Sequence, residues 1–387
     1  MANSNSVALR LAVESTYGTS PGGAFEEVRF TSESLAKTTG TTTSAEIRSD
    51  RQITDVVRVS DGVDGAIEGE LSYSGLTTAS SAQDELMEAA LMSPSWTAVQ
   101  TNTGTWSCTS GGSTITGTNV GTSIAVGDWI RFKDGSTLIG YFFVTAASAN
   151  SLTVTPTLPS NVTGGGNEEV ERGSTLTNGT TERSFTIERE HTDLSGMFEL
   201  YTGVKVNSVT INVAAGSISR YTFALIGQDE SSAASTAASS TTAHYTNPIM
   251  NGVDNVYAVR ENHASLGTIV RSFSLNVANN HFARSAVGSL VPVGMGSGSC
   301  VVTGSMSIYF ENNTLLDKFR NWTTTNLSFI LQDSAGNAYL FHVPECKITL
   351  GRANTPGLNQ DITAELSFQG YRDTTYGHTI RITRWDF

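Results

Sequence analysis

GAIEGELSY (residues 65–73) alternates apolar and polar side chains, and CVVTGSMSIYF (residues 300–310) brings a similar rhythm back in the second half of the chain. A period of two is the signature of a strand with one buried face. Aligning Gly69 with Gly304 sets Ala66, Ile67 and Leu71 against Val301, Val302 and Met306. Ile67 and Leu71 then share a face, as do Val302 and Met306, and these four are the candidate inner-sheet residues. The match runs on. DELMEAALM (residues 84–92) puts Leu86, Met87, Ala90 and Leu91 on one helical face behind an acidic start, and NTLLDKFRNW (residues 313–322) does the same with Leu315, Leu316 and Phe319, with Asn313 placed to cap it. Strand, turn and strand follow each helix, with Gly196 and Gly336 at the turns, and YTFALIGQD (residues 221–229) and AELSFQGYRD (residues 364–373) close the two copies alike.

Composition agrees with an all-β reading: 37 Gly, long Ser and Thr tracts and valine-rich segments broken by turn residues. The first copy is expected over residues 1–97 with 173–230 and the second over 249–387, each a β-sandwich with one flanking helix. SSAASTAASSTTAHYTNP (residues 231–248), poor in large apolar side chains, reads as the linker. Residues 98–172 have no counterpart in the second copy and read as an inserted small β-barrel or sandwich, with Ile115, Val126, Trp129, Ile130, Phe132, Tyr141, Phe143, Leu152 and Val154 as its core. Interrupting one copy at one place, it is expected to decorate the outside and to be dispensable for assembly.

The formal net charge of −13 repels nucleic acid at long range and argues against a conventional DNA-binding module. Three scattered cysteines suggest neither a disulfide framework nor a zinc site, and a reducing compartment fits them. The N-terminus lacks the basic flank and apolar core of a signal peptide, and no run of eighteen apolar residues occurs, so a soluble protein made in the cytoplasm is expected.

LRLAVESTYGTSP (residues 9–21), VRFTSESL (28–35), SAEIRSDRQITD (44–55), LSFQGYRD (366–373) and IRITR (380–384) resemble, in that order, the major tail tube proteins of long, non-contractile-tailed bacteriophages. The resemblance covers nearly the whole chain outside the insert. It implies sandwich domains whose inner sheets pair between subunits into a barrel around a DNA channel, in a virion tail assembled in the host bacterial cytoplasm. It also implies as partners the chain itself, the tape measure protein, the tail terminator and tip proteins, and genomic DNA in transit without specific binding, with no membrane. Related rings present six domains, so a chain carrying two is expected to form trimeric, pseudo-hexameric rings, the alternative being six chains with the second domains outside. A channel of acidic and small polar groups lets a polyanion slide.

Catalysis is not indicated: there is no G-x-S-x-G elbow, and the six histidines lack metal-ligand spacing, so no cofactor or metal is expected. VGMGSGS (residues 293–299) lacks the Lys-Ser/Thr of a phosphate loop. The mixed-sign run with Arg48, Asp50, Arg51, Asp55 and Arg58 suits either a solvated loop or a strap reaching the next ring. Two other readings compete with the tube: an adhesive carbohydrate-binding protein resting on Trp106, Trp129, Tyr141 and Phe142 of the insert, and a secreted β-rich hydrolase.

Overall fold

The computed structural model describes residues 3–75, 81–355 and 357–387. Three strands, β1 (Val7–Val13), β2 (Ala36–Thr43) and β3 (Val56–Glu70), lead into helix α1 (Ala82–Ala90). The helix begins where expected because the Ser81 hydroxyl accepts the Asp84 N–H and two acids sit in its first turn, and it buries Leu86, Met87 and Ala90. Residues 100–172 then form a seven-stranded sheet of their own, which includes β4 (Trp129–Asp134) and β5 (Thr137–Ser148). The chain returns to the first copy through β6 (Phe185–His191), β7 (Phe198–Ala214) and β8 (Arg220–Gly227). The antiparallel order is β1·β6·β7·β8·β3·β2.

The second copy is built from β9 (Val256–Glu261), β10 (Val270–Ala278), β11 (Val301–Tyr309), helix α2 (Thr314–Arg320), β12 (Thr324–Gln332), β13 (Ala338–Asn354), β14 (Thr363–Gly370) and β15 (Arg381–Trp385). Its order, β9·β12·β13·β14·β11·β10, repeats the first. In each copy a 17-residue strand, β7 or β13, carries a bulge, at Val206/Ser208 and at Ile348/Leu350. The bulge bends the strand so that its first half pairs in one layer and its second half in the other, which makes a sandwich from one continuous sheet. Asn313 stands at the start of α2 as expected, but its side chain makes no capping bond.

Register corrects the sequence alignment of the copies. Gly227 opposes Val63 and Gly370 opposes Val302, while Phe223 opposes Ile67 and Leu366 opposes Met306. Val63 therefore matches Val302, Ile67 matches Met306, and Gly304 matches Gly65, four residues before Gly69. A shift of four is even, so it exchanges partners without turning any side chain to the other face. Ile67, Leu71, Val302 and Met306 are all buried. The shared glycine has a steric reason: a Cβ at Gly65 would strike the Ser34–Leu35 backbone, and one at Gly304 would overlap the Phe368 ring.

The copies are fused into one body. Ser208–Ala214 of β7 pair with β10, so a single sheet runs β2·β3·β8·β7·β10·β11·β14·β13, and one apolar core contains side chains of both copies. Helix α1 packs against β7 and α2 against β13, on the core side. The tract expected as a linker follows the first copy. Asp229–Ala233 pairs with β7, Ser240–Thr242 pairs in parallel with Ala24–Glu27, and Thr236 and Ala237 donate to the Glu188 carboxylate at 2.7 and 2.6 Å. Backbone ladders need no apolar side chains, so composition does not betray them.

The insert's core differs from the expected one. Ile115, Ile130, Phe132, Leu152 and Val154 do fill it, with Trp106, Phe142 and Val144. Trp129, Tyr141 and Phe143 point the opposite way and pack against the second copy, and Val126 is exposed. Adjacent residues on a strand face opposite sides, so the unbroken buried run Trp129–Phe132 marks a sheet covered on both faces.

Candidate functional site

One face of the eight-stranded sheet rests on the core and the helices; among the described residues no layer covers the other. Ser208, Thr210, Asn212 and Ala214 of β7, Ser272, Ser274, Asn276 and Ala278 of β10, Thr303, Ser305 and Ser307 of β11, and Ser367 and Gln369 of β14 all lie on this second face, and none is buried. Its carboxylates are Asp64, Glu68, Glu70 and Glu365. Arg220 stands opposite Glu70 and Arg352 opposite Glu365, while Asp64 and Glu68 have neutral residues across from them. Lys347 stands at the rim, donating to the Trp322 carbonyl. Small hydroxyl and amide groups, with the four acids nearly balanced by Arg220, Arg352 and Lys347, make a polar wall of little net charge that gives a polyanion little to hold.

Both ends of this sheet are open among the described residues. Among the described residues no strand pairs with the outer edge of β2, although the Glu230 carboxylate takes the Lys37 N–H at 2.8 Å. Residues 350–354 of β13 pair, among the described residues, with β14 alone, whereas the matching residues 208–212 of β7 pair with β8 on one side and β10 on the other. An unpaired edge is a template for another strand.

Beyond β2 and β3 the chain projects as an arm, residues 44–55. Arg48 grips Asp50 through Nε–Oδ1 (3.0 Å) and Nη2–Oδ2 (2.8 Å), which holds the Asp50 carboxyl below its usual range. Arg51 is exposed at the turn with φ 60°, and Asp55 accepts the N–H of Val56. Arg58 binds the buried Asp61, which also faces Lys37 Nζ at 3.3 Å. The five charges therefore do not converge on one point. The arm and the adjoining start of β3 are also apolar, a feature the charge pattern hid: Ile47 is 99% exposed and Ile53, Val56, Val57 and Val59 are exposed as well. The second copy has a matching arm, Phe282–Arg284 with Gly294–Gly296, and it lies on the first copy. Asp61 donates its N–H to the Leu290 carbonyl (2.7 Å), Gln228 Nε2 donates to the Pro292 carbonyl (2.8 Å), and Met295 is buried.

Among the described residues no group of three or more His, Cys, Asp or Glu side chains is placed to hold a metal ion, and no helix is long and apolar enough to cross a membrane. Cys108, Cys300 and Cys346 are free thiols, raised by burial. The insert's aromatics leave no stacking platform for a sugar: Trp106 and Phe142 sit in its core, Trp129 and Tyr141 in its contact with the second copy. A family model described as phage tail tube protein matches residues 4–370. A search of curated proteins returns no match.

Proposed function

This chain belongs to the phage tail tube protein family, and we propose that three copies close head to tail into a pseudo-sixfold ring, that rings stack into a tube, and that DNA passes through it. Its place is the virion tail. The observation that carries the reading is internal: β10 of the second copy already fills the edge of β7, while the equivalent edge of β13 and the outer edge of β2 are unpaired among the described residues. Repeating that junction between chains sets Leu350 opposite Thr38 of the next copy and Arg352 opposite its Ala36. Each chain then gives one edge and receives one, a heterologous contact that forms a ring when the rotation closes.

Three chains of eight strands make a barrel of about 24 strands; at ~4.8 Å spacing and a tilt near 40° its backbone is roughly 50 Å across, wide enough for a double helix. The polar, partly acidic face lines the channel. The first-copy arm lies on the neighbouring second copy near Cys300 and Tyr371, which match Asp61 and Gln228, or reaches the next ring. The tape measure, terminator and tip proteins of the same virus are its partners at the channel and the tube ends, and assembly takes place in the host cytoplasm.

Cysteines at Thr38 and Leu350, introduced in a Cys300→Ser background and joined by a short bismaleimide, test the reading. Assembled protein should give a ladder that ends at three chains. A ladder ending at six replaces the trimer by a hexamer. No linkage in protein that microscopy shows as tubes overturns the edge pairing.

A further inference from the structure

The insert is spliced into the first copy yet packs on the second. Its ends meet, since Gln100–Gly104 pairs with Glu168–Arg172, so by sequence it is a domain on a double stalk. In space, alternation divides its middle strands between two cores. Ile130 and Phe132 of β4 and Phe142 and Val144 of β5 point inward, while Trp129, Tyr141 and Phe143 point outward onto Ile330, Leu340 and Trp385 of the second copy. Neither of these two clusters includes a first-copy side chain. Polar bonds, two of them buried, fasten the same seam. Arg260 of β9 donates to the Tyr141 carbonyl at 2.7 Å, Arg381 of β15 donates to the Gly127 carbonyl at 2.7 Å, and the Trp385 indole donates to the Glu171 carbonyl at 3.1 Å. Arg381 also lies 3.6 Å from Asp128. Next to the insert's exit, Ser174–Thr177 of the first copy pairs with β15, so backbone and side chains tie the same strand.

We propose that the inserted domain is an intramolecular clamp that holds the second copy against the first, so that the eight-stranded sheet is preset before any subunit meets another. Stripped of the insert, the second copy would expose Ile330, Leu340 and Trp385 to water, a patch that isolated folded domains avoid. On this reading the insert is more than an outer decoration: a seam built on Trp129, Tyr141, Phe143 and Trp385 closes on this molecule's own other half. In a ring the clamp would make junctions within chains differ from junctions between them. That consequence rests on the ring reading; the clamp does not.

Hydrogen exchange on the full, unassembled chain tests it, with Trp129→Ser as the strong variant and Phe143→Leu as the mild one. Both side chains lie outside the insert's own core. Amides of β12 and β15 should exchange at least tenfold faster in Trp129→Ser and measurably faster in Phe143→Leu, with strands β1 and β6 and the amides of Ile115 and Leu152 unchanged. Unchanged exchange in β12 and β15 overturns the clamp, as does equal acceleration inside the insert, which would show a weakened domain rather than a released one. If Trp129→Ser does not fold, Phe143→Leu decides by the same comparison.

Discussion

Reversing the charge of Asp64 and Glu68 tests whether the uncovered sheet face is the channel wall. Both are exposed, both lack a cation opposite them, and neither carries a buried contact; Asp64 faces Thr38 Oγ1 at 3.4 Å and Glu68 accepts the Ser32 hydroxyl at 2.9 Å. Surface changes of this kind alter stability by about 0.5 kcal/mol or less. Asp64→Lys with Glu68→Lys shifts the face by four charges per chain and places six lysines on a three-chain ring. If each meets a phosphate, the salt dependence of DNA retention follows a slope of about −5 per ring, and affinity falls roughly a thousandfold between 50 and 200 mM salt. The assay is sedimentation of assembled tubes with linear duplex DNA across a salt series, with Asp317→Lys on the exposed side of α2 as control. Wild-type and control tubes should retain little DNA at any salt; the double variant should retain it at low salt and release it steeply. Retention no greater than the control's, in tubes that assemble normally, would refute the assignment of this face to the channel.

The matched core positions Ile67 and Met306 are 0% and 2% exposed, so Ile67→Ala and Met306→Ala should each cost about 2–5 kcal/mol and move one shared denaturant transition; two transitions, each answering to one variant, would contradict a common core. Arg384 of β15 donates to Asp84 at the start of α1 and to the Ser74 hydroxyl, all three buried, so Arg384→Met should cost about 3–5 kcal/mol by stranding a carboxylate, and Asp84→Asn added to it should recover part of the loss; simple additivity in denaturant melts would dismiss the coupling. His263, His342 and His378 lie at the clamp seam with Arg260, Arg381, Asp128 and Asp373 nearby, and burial, aided by the neighbouring cations, lowers His263 and His378 to about 4 and His342 well below its usual value. The unfolded chain binds protons from about 6.5 downward while the fold does not, so stability should be level above pH 6.5 and fall from there toward pH 4. Melting temperature against pH measures this, and a His342→Gln variant as pH-sensitive as wild type would refute the seam's part in it.

Much of this architecture was written in local pattern. Period-two alternation marked β3 and β11, the apolar faces of α1 and α2 stood out at helical spacing, and glycines at 196 and 336 take the positive φ their turns need, 71° and 94°. Even the misplaced alignment of Gly69 with Gly304 left every side chain on its correct face, because the error was an even number of residues. The exposed apolar arm was missed because the charges of Arg48 to Arg58 drew the reading, though Ile47 and Ile53 were there to be seen.

What the sequence determined by itself was the all-β class and the apolar faces of its repeated strands and helices, since each depends on neighbours along the chain. Tertiary structure alone decided that β7 joins β10, that the tract 231–248 is bound to the first copy, that β13 and β2 keep edges unpaired among the described residues, and that Trp129, Tyr141 and Phe143 serve the second copy rather than their own domain. These are matters of pairing at long separation. A strand's sequence tells which of its faces is apolar, but its hydrogen-bonding edges carry the same N–H and C=O groups whatever the side chains, so which strand lies alongside is settled only when the whole chain is packed.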